Sequence, residues 1–292
     1  MARIALDPTP YNGTVHLLDF PDTVARLGYE YLQLTPNPDF GRHFHHPKVD
    51  SEMIAKLKKR AKDAGVTITS VLPVQRLGGP EPHQVRAAIR NTTRYIEIAA
   101  ELEAPILNTE FSGRPEREEE SENCFYDAME ALIPVLEREG VTMNIDPHPD
   151  DFVEDGLEGW RIIRGLNSDR VGFVYVASHT FHYGDRATSL IPEIGDRLGA
   201  VYTADTFDHN RSNGLRYITN PPGNAVRVHQ HLAIGDGDVD WSELFSTLRS
   251  SGFLDDPEAL IVSNVFAEDE RADEVSKFQL AKLRELIENA GA

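Results

Sequence analysis

The sequence predicts an α/β fold, a single-domain (β/α)8 barrel of the TIM type, on three observations. Short apolar runs rich in β-branched residues alternate with longer runs of 3.6-residue periodicity, eight of each. Connections after the short runs are long and polar, whereas those before them are short and close on glycine. Nine of the eleven histidines fall in a few short clusters, several just past an apolar run. A chain that places imidazoles and carboxylates at the carboxyl ends of successive strands builds one polar site from many segments, as a barrel does at its top face.

In chain order, RIAL (3–6) and YLQL (31–34) are the first two strands, separated by a helix over 20–27 that stops at Gly28. The helix over 51–64 carries KLKKRAK, read as a solvated outer face, and stops at Gly65. Strand 67–72 leads to helix 82–102, and strand 105–109 to helix 118–139, which holds the single cysteine, Cys124, as a small buried apolar residue and ends at Gly140. Strand 142–145 precedes helix 157–166. Strand 172–176 precedes helix 187–198, with Gly199 as its expected terminator before strand 200–203. Asp240 caps helix 241–250; strand 260–265 and helix 272–290 complete the set. At these helix ends a left-handed cap is supplied most easily by glycine.

The domain is expected to span residues 1–292, with a long insert over about 206–240 that could act as a lid or an interface. Further long loops over 35–50, 74–81, 111–117 and 147–156 fall on the same face as the polar clusters. The first strand runs into DPTPYNG, and neither a dinucleotide fingerprint nor a P-loop is present, so neither a dinucleotide nor ATP is implied. A net charge of −19 without a basic strip opposes nucleic acid. No apolar run reaches the roughly 20 residues of a membrane span. The N-terminus enters a strand at once, which predicts a cytoplasmic protein. One cysteine excludes an intrachain disulfide framework.

Four strings carry the candidate chemistry. In NIDPHPDDF, Asp146 ends the fifth strand and His148 follows across a turn stiffened by two prolines, while Asp151 and Asp155 supply turn chemistry. SHTFH holds His179 and His182 at a spacing of three. TADTFDH sends Asp205 to the barrel mouth. In VHQHLAIGDGDVDW, His229 and His231 share a face of an extended segment and could ligate one divalent ion together with a carboxylate, whereas Gly235 and Gly237 read as architecture. Glu110, in ILNTEFSG, faces the mouth as an acid/base, a ligand or an ion-pair partner of Arg114.

These strings, with LGYEYLQLTPNP and RYITNPPG, resemble the sugar isomerase/epimerase superfamily with a xylose isomerase-like barrel, and within it the inositol-catabolism proteins; the resemblance spans nearly the whole chain. It implies a divalent ion (manganese, magnesium, cobalt or zinc), a sugar or keto-sugar substrate, and proton transfer next to a carbonyl. The family carries Glu, Asp, His and Glu at the ends of strands five to eight. Here Asp146 takes the first place and His179 the second, Tyr202 and Thr203 occupy the region of the third, and Asn264 replaces the last. The resemblance therefore implies a metal shifted toward Asp146, His179, His182, His229 and His231, with His148, Asp205 and Glu110 left for proton transfer.

Three readings stay open: an isomerase or epimerase acting on a ketose, inosose or oxidised sugar; a lyase of the same superfamily cleaving 3-keto sugars; and a non-catalytic barrel subunit. A homo-oligomer or a small partner subunit is compatible with each.

Overall fold

The computed structural model describes residues 2–184, 187–208, 230–267 and 269–291. Eight parallel strands close into a barrel in the order β1-β2-β3-β4-β5-β6-β7-β8. They are β1 (Arg3–Leu6), β2 (Tyr31–Leu34), β3 (Thr67–Val71), β4 (Ile106–Glu110), β5 (Thr142–Asp146), β6 (Val171–Val176), β7 (Leu198–Tyr202) and β8 (Leu260–Ser263). Closure comes from β1 pairing with β8, Arg3 opposite Leu260 through Leu6 opposite Ser263. The principal helices are α1 (Phe20–Leu27), α2 (Ser51–Ala64), α3 (Pro82–Glu101), α4 (Glu118–Glu139), α5 (Gly156–Gly165), α6 (Ala177–Thr180), α7 (Ala187–Ile194), α8 (Trp241–Ser250) and α9 (Ala272–Asn289). The (β/α)8 barrel predicted from the alternation is therefore the fold.

Strand parity decides what each side chain meets. Ile4, Leu6, Leu32, Val71, Leu107, Met143, Ile145, Phe173, Val201 and Ile261 point outward into one large apolar layer beneath the helices. Their neighbours on the other face, Ala5, Val174, Val176, Ala200, Tyr202, Leu260 and Val262, fill the barrel interior. Part of that interior is polar: Gln33 Oε1 accepts from Ser70 (3.0 Å), Asn108 (2.9 Å) and Tyr202 (2.7 Å), and Asn144 donates to Asn108 Oδ1 (3.0 Å). The network is only partly satisfied: Gln33 Nε2 and Asn144 Oδ1 are buried without a hydrogen-bond partner.

Gly28, Gly65 and Gly140 have left-handed φ values of 89°, 71° and 69° at their helix ends, as the sequence predicts. Gly199 does not. It lies inside β7, where a Cβ would overlap the Asn144 amide; the left-handed glycine after α7 is Gly195 (φ 60°). Helix α7 is correspondingly shorter than expected, giving way to a 3-10 turn at Gly195–Arg197. Cys124 is half-buried rather than fully enclosed. Asp240 and Asp155 cap α8 and α5, accepting from Glu243 N–H and Glu158 N–H at 2.9 Å each. Among the described residues, no helix is long and apolar enough to cross a membrane.

Candidate active site

Inward parity carries Glu110 and Asp146, the last residues of β4 and β5, and Asp7 and Asn264, just past β1 and β8, to the carboxyl-terminal mouth on the same face as Asn108, Asn144, Ala5 and Val262. There they line a cavity of about 300 Å³ together with Thr9, Asn12, Pro36, His43, Leu72, Val74, Asn108, Thr109, His148, Val174, His179, Tyr202, His231 and Phe266. Five of the eight residues predicted for the site therefore meet in one place: Glu110, Asp146, His148, His179 and His231.

Asp146 and His179 are 2.9 Å apart between Oδ2 and Nδ1, both buried. His179 Nε2 in turn stands 3.3 Å from His231 Nε2. The far nitrogen of His231, Nδ1, is 2.9 Å from both the backbone oxygen and the side-chain nitrogen of Asn264. Phe266 stacks on the His231 ring (4.1 Å, 9°) and its N–H donates to the His231 carbonyl (2.8 Å), so that imidazole is held on two sides. His148 packs edge-on against His179 (4.6 Å), with Nδ1 2.7 Å from the Pro149 carbonyl and Nε2 3.9 Å from Glu110 Oε1.

Burial dominates the electrostatics. It pushes the Asp146 carboxyl well above its usual range, reinforced by the negative charges of Glu110 and Asp151. It pushes His231 down to about 4, so this imidazole is neutral near pH 7 and keeps a lone pair on one nitrogen. Asp146 Oδ1 is buried without a hydrogen-bond partner.

Two residues expected in the site lie elsewhere. Asp205 is fully buried, and its carboxylate accepts four hydrogen bonds: Oδ1 from Thr206 N–H (2.8 Å) and Val239 N–H (3.2 Å), Oδ2 from Gly235 N–H (2.8 Å) and Trp241 Nε1–H (2.8 Å). Such a carboxylate, with two donors on each oxygen, organises a loop. Its backbone forms an antiparallel bridge with Leu232, which brings the adjacent His231 to the mouth. Gly237 is required in the same loop, since a Cβ there would overlap Asp205 Oδ1 and the Thr206 carbonyl.

His182 is also outside the cavity lining, its Nε2 3.4 Å from Thr206 Oγ1. The segment after β6 is not an open loop but α6 followed by a 3-10 turn, and three residues of helical rise move His182 about 5 Å beyond His179. His229 lies outside the described residues, as does most of the expected insert. Thr203 is turned away as well, its hydroxyl donating to the Val262 carbonyl (2.9 Å).

The residues missed in the sequence include Asp7 and Asn108, whereas Tyr202, noted there only as standing in the region of the family's seventh-strand histidine, joins Asn108 in the floor. Parity would have found Asp7, two positions beyond inward-facing Ala5.

A family model described as the xylose isomerase-like TIM barrel matches residues 21–286. The chain belongs to this family. Solved structures of other proteins superpose over nearly the whole molecule. The D-psicose 3-epimerase of Clostridium cellulolyticum H10 with D-tagatose has a TM-score of 0.74 at 16% identity, covering 98% of this chain and 99% of that one. The IolI protein, described with a binding zinc atom, has a TM-score of 0.76 at 16% identity and covers 99% of both. The 3-keto-D-glucoside 4-epimerase of E. coli has a TM-score of 0.70 at 15% identity, covering 98% and 100%. At such identities the likeness carries the fold, and the residues must carry the chemistry. No curated protein matches the sequence significantly.

Proposed function

We propose that this barrel is an isomerase or epimerase of a keto sugar or inosose, working by proton transfer at the carbon next to a carbonyl. The observation that carries this reading is the convergence of Glu110, Asp146, His148, His179 and His231 on a single cavity. Glu110 and His148, at 3.9 Å, form a carboxylate–imidazole pair able to take a proton from that carbon. His148 is oriented by the Pro149 carbonyl on its other nitrogen. Asn108 and Tyr202, in the floor, supply hydrogen-bonding groups for sugar hydroxyls.

Divalent metal fits part of this site. With His179 Nδ1–H directed at Asp146 and His231 Nδ1–H at the Asn264 carbonyl, the two Nε2 lone pairs face each other at 3.3 Å. That is about the separation of two tetrahedral ligands at roughly 2.05 Å from one ion. His179 and His231 would hold the ion, and Asp146 would orient His179 from behind, as carboxylates commonly do for metal-bound imidazoles. Among the described residues no set of three histidine, cysteine, aspartate or glutamate side chains forms a complete metal site. When bound, the ion would supply Lewis-acid polarisation of the substrate carbonyl.

The test is incubation in D2O with D-fructose, D-tagatose, D-psicose and scyllo-inosose, each with and without added Mn2+ or Zn2+, followed by NMR. Deuterium entering the carbon next to the carbonyl supports the reading. No exchange with any of these compounds overturns it.

A further inference from the structure

Asp7 stands apart from the other acidic groups of the site. In the closed strand order, β1 is four strands from β5 in either direction, so Asp7 at the end of β1 lies across the mouth from Asp146 at the end of β5. The acidic and imidazole groups come from β4 to the segment after β7, whereas β1 to β3 and their loops contribute Asp7, Thr9, Asn12, Pro36, His43, Leu72 and Val74, and β8, the other neighbour of β1, contributes Asn264. Asp7 is 4% exposed and lines the cavity.

Its two oxygens are treated differently. Oδ1 accepts from Thr9 N–H (2.9 Å) and from the Thr9 hydroxyl (2.6 Å), with the Thr35 hydroxyl 3.2 Å from that of Thr9. This anchoring leaves Oδ2 for the cavity. No lysine or arginine lies in the described lining to hold the carboxylate charged. The titratable group that faces Asp7 from β7 is the Tyr202 hydroxyl, which donates to Gln33 and whose own ionisation Asp7 opposes. Burial raises Asp7 to about 6, against the hydrogen bonds from Thr9 and Thr35. An acid of that strength exchanges protons readily near neutral pH.

We propose that Asp7 is a second proton-transferring residue, acting on the face of the bound keto sugar opposite to the one served by Glu110 and His148. The pair on the β4–β5 side takes the proton from the carbon next to the carbonyl, and the C–H electron pair passes into an enediolate. The Asp7 carboxylic acid then gives its proton to the same carbon from the other side. One C–H bond breaks and one forms, the configuration inverts, and no electrons are lost. Asp7 is left as carboxylate and the pair protonated; exchange with solvent restores both. Reversal makes Asp7 the base and the pair the acid. This inference rests on the proposed isomerase or epimerase reading and makes inversion its outcome.

The test uses the D2O assay on the full chain, starting separately from each member of an epimer pair such as D-fructose and D-psicose. Wild type is expected to interconvert the two. Asp7→Asn should lower interconversion about 100-fold or more, yet keep deuterium exchange in one epimer while losing it in the other. Glu110→Gln should show the mirror-image pattern. Asparagine retains an oxygen for Thr9 N–H, so circular dichroism and melting confirm the fold of the variant.

Interconversion by Asp7→Asn at the wild-type rate overturns the role of Asp7 and leaves the reading of the site intact. Exchange lost equally from both epimers overturns the assignment to opposite faces, as does wild-type exchange without inversion. Absence of any exchange by wild type overturns the reading itself, and the role of Asp7 with it.

Discussion

Asp146 closes β5 and Asp205 lies three residues past β7, and both are buried near a histidine cluster. Their surroundings differ in donors. Asp205 accepts four hydrogen bonds, three from backbone N–H groups, so both its oxygens meet fixed donors. Asp146 has His179 on one oxygen and nothing on the other, with Glu110 and Asp151 adding negative potential. A saturated carboxylate holds structure together, whereas an under-satisfied one stores a cost that only a substrate, a proton or a cation relieves.

The largest effect expected from this contrast is on activity beside Asp146. His179→Ala or His231→Ala should reduce turnover of whichever keto sugar proves active by about 10³-fold with the melting temperature little changed. A loss of activity matched by a loss of fold in both variants would break the comparison.

Asp205→Ala should do the reverse, lowering stability by about 4 kcal/mol because four donors lose their acceptor in a buried loop. Urea unfolding measures this. A change under about 1 kcal/mol would show that water replaces the carboxylate there.

Third in size is Asp7. Its folded pKa of about 6 lies above the ordinary 3.8, so the folded state favours the neutral acid. Its contribution is fully present below about pH 4 and is lost as pH rises to about 6. Asp7→Asn should therefore be more stable than wild type at pH 7, by on the order of 2 to 3 kcal/mol, and equally stable near pH 3. A gain independent of pH would refute the titration.

Smallest is Asp240, whose side chain caps α8 in the loop that Asp205 organises. Asp240→Ala should cost about 1 kcal/mol in chemical denaturation. A cost equal to that of Asp205→Ala would mean the loop unfolds as one unit.

Much of the fold and part of the site are legible in the amino-acid sequence. Alternating runs and terminal glycines placed the eight strands within a few residues, because periodicity and caps are local properties. Histidines 148, 179 and 231 stood out because imidazoles rarely cluster at strand ends without a shared purpose. Asp205 misled because its partners Gly235, Val239 and Trp241 are 30 to 36 positions along the chain. Asp7 was hidden in DPTPYNG, a string whose obvious content was the lack of a phosphate loop. His182 was displaced by a helical turn too short for periodicity to register.

The amino-acid sequence by itself determined the barrel, the end of it that carries polar groups and the family to which it belongs. Those follow from short-range patterning repeated along the chain. Only the tertiary structure decided which buried carboxylates are saturated, that His179 and His231 meet across 52 positions, and that barrel closure puts Asp7 opposite Asp146. The physical reason is that hydrogen bonds and proton transfers act over about 3 Å, a distance set by packing between remote segments.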